Sequence, residues 1–173
     1  MLRFLIVDDS NQNRKIIVKM LTSILKHRNY TLYDDDISKY SQFIHQQNTT
    51  SIENSNIELL TNSDTRETVL KQKYFHINEA NDGTTAIDLI TQQLYHQFPM
   101  YDYIFIDNIM ITKNGPETVF EIRNTYNLHN IQIIGITGNG LTADIELFKN
   151  AGLNEIFIKP LSYEKLKMLL QHL

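Results

Sequence analysis

Apolar residues in this chain fall into two rhythms. Short unbroken runs, FLIV from Phe4, YIFI from Tyr103, IIGI from Ile133 and IFI from Ile156, show no polar alternation. Such runs suit strands buried on both faces. With FHINE from Phe75 they predict strands over 3–7, 75–79, 103–106, 132–136 and 155–158. Between them apolar residues recur at spacings of three and four, predicting helices over 11–26, 84–95, 116–125, 142–150 and 163–172. Punctuation agrees. Asp82-Gly83 opens the second helix, Pro116 sits in the first turn of the third, Gly152 closes the fourth and Ser162 caps the fifth. Strand and helix alternating in this way predict an α/β fold, a doubly wound parallel sheet with helices on both faces.

One stretch breaks the rhythm. Residues 29–73, about forty-five in number, stand where an αβ connection ordinarily takes ~2–6. The run NTTSIENSN from Asn48 reads as a polar loop, but helical patches flank it. Ile37, Tyr40, Phe43 and Ile44 share one helical face behind an acidic first turn, and Asp64 and Glu67 have capping-box spacing. The expectation is an insertion between the first helix and the second strand, placed at the amino ends of the strands.

Composition adds mainly exclusions. The chain has 173 residues, 42% hydrophobic and 21% charged, with a net charge of -4, which suits one domain with one sizeable core. The acidic balance argues against nucleic acid as a partner. No apolar run approaches the ~18 residues of a membrane span and the amino terminus lacks signal-peptide pattern, so a cytoplasmic location is expected. There is no cysteine, hence no disulfide and no thiolate chemistry. The six histidines, His27 and His45 among them, form no ligand spacing.

The chemistry gathers at strand ends. The first predicted strand runs into Asp8 and Asp9, the third into Asp107, the fourth into Thr137 and the fifth into Lys159. In an open parallel sheet, ligands bind beyond the carboxyl ends of the strands, where strand order reverses. Asp8-Asp9 alone reads as a turn or cap, Thr137 as a β-branched strand residue and Lys159 as an ordinary strand end. Together on one edge they make three carboxylates, a hydroxyl and an ammonium. Three acids that close do not all ionise without compensation. A hard divalent cation supplies it, and Mg²⁺ characteristically takes one or two carboxylates while keeping waters.

The blocks IVDDS, YDYIFIDNIM followed by NG, IIGITGNG and FIKP, in that order and spacing, resemble the four signature blocks of the response-regulator receiver domain. NEANDGTTAIDLI is similar to that family's second strand and helix, and Gly115 stands at its turn glycine. The resemblance implies a five-stranded flavodoxin-like sheet, strand order 2-1-3-4-5, with residues 1–173 as a single receiver domain and 29–73 inserted within it. It also implies that Asp107 accepts a phosphoryl group from phosphohistidine. Asp9, Asp107 and the backbone carbonyl of Ile109 would bind Mg²⁺, with Asp8 acting mainly through water. Lys159 would neutralise a phosphoryl oxygen and Thr137 would hydrogen-bond to the transferred group. The implied partner is a histidine kinase or histidine phosphotransfer protein, and the implied role is a signalling switch rather than a turnover enzyme. DDSNQNR and AGLNEIFIKP lean towards the receivers of hybrid histidine kinases.

Two positions depart from the family pattern. Ile111 replaces the usual proline four residues after the acceptor. Ile156 occupies the aromatic position three before the lysine, with Phe157 displaced by one. They leave open a pseudo-receiver that binds partners without phosphorylation. A metal-dependent phosphatase with an aspartyl nucleophile is the remaining alternative, although Ile109 holds the place of its second acid. The first helix carries a wide apolar face of Ile16, Ile17, Val18, Met20, Leu21, Ile24 and Leu25. Either the insertion covers the excess or a phosphodonor docks there.

Overall fold

The computed structural model describes residues 1–33, 72–138, 140 and 142–173. The chain begins with strand β1 (Leu2–Val7) and helix α1 (Asn11–Lys26). Ser10 caps α1 by accepting from the Asn13 N–H, and just beyond its carboxyl end Asn29 adopts the left-handed conformation, φ 62°. There the chain turns out of the helix into β2 (Tyr30–Leu32). After the undescribed residues come β3 (Lys73–Ala80), α2 (Gly83–Tyr95), β4 (Tyr103–Asp107) and α3 (Gly115–Asn124). The chain continues through β5 (Gln132–Thr137), α4 (Thr142–Asn150), β6 (Glu155–Ile158) and α5 (Tyr163–Leu169).

Among the described residues all strand pairs are parallel, in the order β2-β3-β1-β4-β5-β6. This is the expected flavodoxin-like sheet with a sixth strand at its edge. Tyr30, Thr31 and Leu32 pair with Lys73, Tyr74 and Phe75, and the Tyr33 N–H then donates to the Phe75 carbonyl at 2.7 Å. The first residues of the expected insertion are therefore sheet. Three residues, only Tyr30 and Thr31 of them β-formers, at the start of a polar stretch carry too little periodicity to announce a strand. Tyr33 leaves the sheet beside His76, partway up β3, whereas Gln72 re-enters at the amino end. The amino-edge placement thus holds for the return of the chain but not for its departure. The helical patches at 37–44 and 64–67 lie outside the described residues.

Strand alternation sorts the core into two layers. Leu5, Val7, Ile104 and Ile106 pack with Ile90 of α2, Val119 and Ile122 of α3 and Phe148 of α4. Phe4, Ile6, Phe105 and Ile134 pack on the other face with Ile17, Leu21, Ile24 and Leu25 of α1 and Leu166 of α5. Unbroken apolar strands follow directly, because both faces are covered. The predicted caps are in place. Asp82 accepts from the Thr85 N–H at 2.7 Å, Ser162 accepts from the Lys165 N–H, and Pro116 lies in the first turn of α3, which an unpredicted capping box of Asn114 with Glu117 opens. Gly152 has φ 107°, which a side chain would strain. Among the described residues no helix is long and apolar enough to cross a membrane.

Candidate functional site

Sheet order reverses on either side of β1, so the carboxyl ends of β1 and β4 open a crevice between their crossover helices. Register sets what meets there. Val7 lies opposite Ile106, which puts Asp8 level with Asp107 one step further on. Thr137 lies opposite Ile158, so Lys159 follows immediately beyond, and its N–H donates to the Thr137 carbonyl at 2.7 Å.

Asp8, Asp9 and Asp107 bring carboxylate oxygens within 4.8 Å of one another. Asp8 and Asp107 are buried, at 1% and 7% exposure, whereas Asp9 lies at the surface. The Lys159 ammonium bridges the buried pair, 2.9 Å from Asp8 Oδ2 and 2.8 Å from Asp107 Oδ1. Burial pushes the Asp107 carboxyl above its ordinary range; the Lys159 hydrogen bond and charge oppose this, and the Asp8 charge adds to it. Burial alone would lower the Lys159 pKa, but its contacts with Asp107 and Asp8 hold it above the usual lysine value. Among the described residues, one ammonium against three carboxylates leaves excess negative charge among hard oxygen donors. That donor set fits a hard divalent cation.

Thr137 is buried, at 1% exposure. Among the described residues, a Cβ built at the following Gly138 would meet nothing within 4 Å, and Gly138 lines one cavity with Asp8 and Lys159. Ile109 and Ile111 stand exposed on the loop after Asp107, at 67% and 88%. Ile156 and the displaced aromatic Phe157 fall on opposite sides of β6: Ile156 packs towards the α2–α4 layer and Phe157 towards α1 and α5. The wide face of α1 also divides. Ile17, Leu21, Ile24 and Leu25 are core, while Ile16 is half exposed. With Ile136, Pro160 and Leu161, Ile16 lines a cavity of about 380 Å³ that opens beside Asp8 and Lys159.

The structure adds residues that the sequence reading passed over. Asn13 Nδ2 lies 3.1 Å from both oxygens of Asp8. Arg14 Nη1 donates to the Asp8 carbonyl at 2.6 Å while its Nε pairs with Glu79 at 3.1 Å. Their signal was in DDSNQNR. Residues three and four beyond a cap at Ser10 lie over the end of the strand that precedes it. Gly115 is also explained differently. It is the first residue of α3 without a left-handed backbone, and what it supplies is space: a Cβ there would lie 2.3 Å from the Asp107 carbonyl oxygen.

The family model "Response regulator receiver domain" matches residues 60–171. That span excludes β1, α1 and β2; the pairing of β1 with β4 brings Asp8 level with Asp107. A two-component response regulator of rice, Oryza sativa, is 31% identical over 94 residues, 54% of this chain and 69% of that protein. Stress response regulator protein 1 of Candida albicans is 33% identical over 88 residues, 51% of this chain. The match spans only 29% of that Candida protein's length. Among solved structures, the chemotaxis protein CheY4 of Vibrio cholerae superposes with a TM-score of 0.60 at 17% identity, covering 99% of this chain and 98% of that one. The receiver domain of a sensor histidine kinase of Pseudomonas aeruginosa, with a magnesium ion coordinated in its active-site cleft, gives 0.62 at 20%, covering 99% and 95%. Likeness to both kinds of receiver leaves the leaning towards hybrid kinases unconfirmed.

Proposed function

This chain belongs to the response regulator receiver domain family of two-component signalling, and from that premise we propose that it is switched by phosphorylation of Asp107. The observation that carries the reading is the Lys159 ammonium 2.8 Å from Asp107 Oδ1, held there by Asp8. An Asp107 carboxylate oxygen attacks the phosphorus of a phosphohistidine, the P–N bond breaks, and the imidazole leaves with the electron pair and takes a proton. Phosphoryl transfer calls for positioning and charge neutralisation more than for covalent help. Lys159 neutralises one phosphoryl oxygen, and the Thr137 hydroxyl meets the group in the space left by Gly138. Asp9, Asp107 and the Ile109 carbonyl would hold Mg²⁺, with Asp8 acting through water, and the ion would supply the remaining positive charge. A relative's cleft that coordinates magnesium supports this assignment.

The donor in this reading is a histidine kinase or a histidine phosphotransfer protein. It docks over the cavity lined by Ile16, Pro160 and Leu161. Residues 1–173 act as one receiver domain, with 29–73 as an insertion outside the phosphotransfer machinery and the cytoplasm as its location.

The test is incubation with acetyl phosphate and Mg²⁺ followed by intact mass measurement. One added phosphoryl group in the wild type, lost in Asp107→Asn, supports the reading. No adduct in the wild type points to a pseudo-receiver, as the departures at Ile111 and Ile156 would allow. Rapid donor turnover without an adduct points to a phosphatase. Phosphate retained on another aspartate in Asp107→Asn overturns the acceptor assignment.

A further inference from the structure

Asp8 is unusually well supplied with donors for a carboxylate beside a cation site. Its Oδ1 accepts from the Ser10 N–H at 2.8 Å and its Oδ2 from Lys159 at 2.9 Å, while Asn13 Nδ2 lies 3.1 Å from both oxygens. The carbonyl of the same residue takes the Arg14 guanidinium at 2.6 Å, so backbone and side chain are both pinned. A carboxylate pinned on three sides cannot rotate. Whatever it holds is fixed too, and it holds the ammonium that faces Asp107.

We infer that Asn13 is a positioning residue for phosphoryl uptake, acting through Asp8 to hold Lys159 against Asp107. The inference rests on the phosphoacceptor reading above. Without the amide, Asp8 turns about its own side-chain torsions and carries Lys159 away from the place where the phosphoryl oxygens arrive. Position 13 is better filled by an amide than by an acid. Asp8, Asp9 and Asp107 already crowd the site with negative charge, and a fourth carboxylate would draw Lys159 inward and repel the donor. The amide lends a hydrogen bond without adding charge.

The substitutions Asn13→Ala and Asn13→Asp separate this role from a structural one. Asn13 is only partly buried, so both full-length variants should melt close to the wild type. Mg²⁺ affinity is read by titration calorimetry, which suits a chain without tryptophan. Uptake is read as the rate of mass gain from acetyl phosphate at saturating Mg²⁺. Asn13→Ala should bind Mg²⁺ within about threefold of the wild type yet take up phosphate roughly tenfold more slowly, as for a charge misplaced by a fraction of an ångström. Asn13→Asp, nearly the same shape, should bind Mg²⁺ several-fold more tightly and still take up phosphate at least roughly tenfold more slowly. Wild-type uptake rates in either variant overturn the inference alone. So does a loss of Mg²⁺ affinity matching the loss of rate in both. A wild type that takes up no phosphate overturns the phosphoacceptor reading, and this inference with it.

Discussion

Replacing Gly115 with alanine tests whether the fold and Asp107, the acceptor proposed above, are mechanically joined. The added Cβ would lie 2.3 Å from the Asp107 carbonyl oxygen and 2.6 Å from Cζ of Phe148, against 3.4 Å for ordinary contact. Something must yield by about 1 Å on the first of these contacts. Phe148 cannot yield freely: it is fully buried and already crowds Gly135, where a Cβ would sit 2.9 Å from its ring. The strand end can move, because Gly115 is tied to it through its N–H bond to the Asn108 carbonyl at 3.0 Å. Overpacking of this kind costs ~1–3 kcal/mol, and alanine's better helix propensity returns at most about 1 kcal/mol at the start of α3. The net expectation is a loss of roughly 1–2 kcal/mol, or about 2–4 °C of melting temperature per kcal/mol in a chain of this size. Displacing the Asp107 backbone by up to an ångström should, on the proposed function, also slow phosphate uptake by ~10–100-fold at temperatures where the variant is folded. Urea denaturation and the mass-based uptake assay read the two effects separately. A variant as stable as the wild type would refute the steric argument. A destabilised variant with normal uptake would refute the coupling to Asp107.

Three further outcomes follow from other parts of the molecule. Asp9→Ala should weaken Mg²⁺ binding by roughly tenfold or more and Asp8→Ala by less, because Asp9 is the exposed acid and Asp8 is engaged by protein donors; equal calorimetric affinities for wild type and Asp9→Ala would dismiss the site. Buried Arg123 donates to the carbonyls of Gly152, Leu128 and Ile131 and to Asn154 Oδ1, so Arg123→Met should cost about 3–5 kcal/mol in urea, and a loss under about 1 kcal/mol would contradict it. Burial pushes the Tyr101 hydroxyl, bonded to Asn78 at 3.0 Å, from 10.0 up to about 12. Between those values the folded state keeps a proton that the unfolded chain has lost, so stability falls as pH rises, by ~2–3 kcal/mol in all. The stability difference between wild type and Tyr101→Phe should therefore shift against the wild type from pH ~9 to ~11.5, and a pH-independent difference would refute this.

The sequence by itself determined five of the six described strands, the five described helices and the edge on which the acids lie. Buried parallel strands must be apolar throughout and helix ends need capping groups, so Phe4–Val7 running into Asp8, or Asp82 before Gly83, declare themselves through neighbours only a few residues apart. The site was legible for the same reason. Each of Asp8, Asp9, Asp107, Thr137 and Lys159 terminates a readable strand, and parallel strands bring their carboxyl ends to one side. What only the tertiary structure decided depends on residues far apart in the chain. Tyr30–Leu32 becomes a strand because Lys73–Phe75 offers it an edge, and three residues in isolation hold no such preference. Gly115 owes its identity to a carbonyl eight residues back and a ring on α4, contacts that no local pattern records. Asn13 gains its place from a hydrogen bond to a carboxylate that is itself held by a lysine at position 159. Propensity and periodicity act over one or two turns of chain, while close packing and hydrogen bonding act over a few ångströms of space. Only folding brings those two scales together.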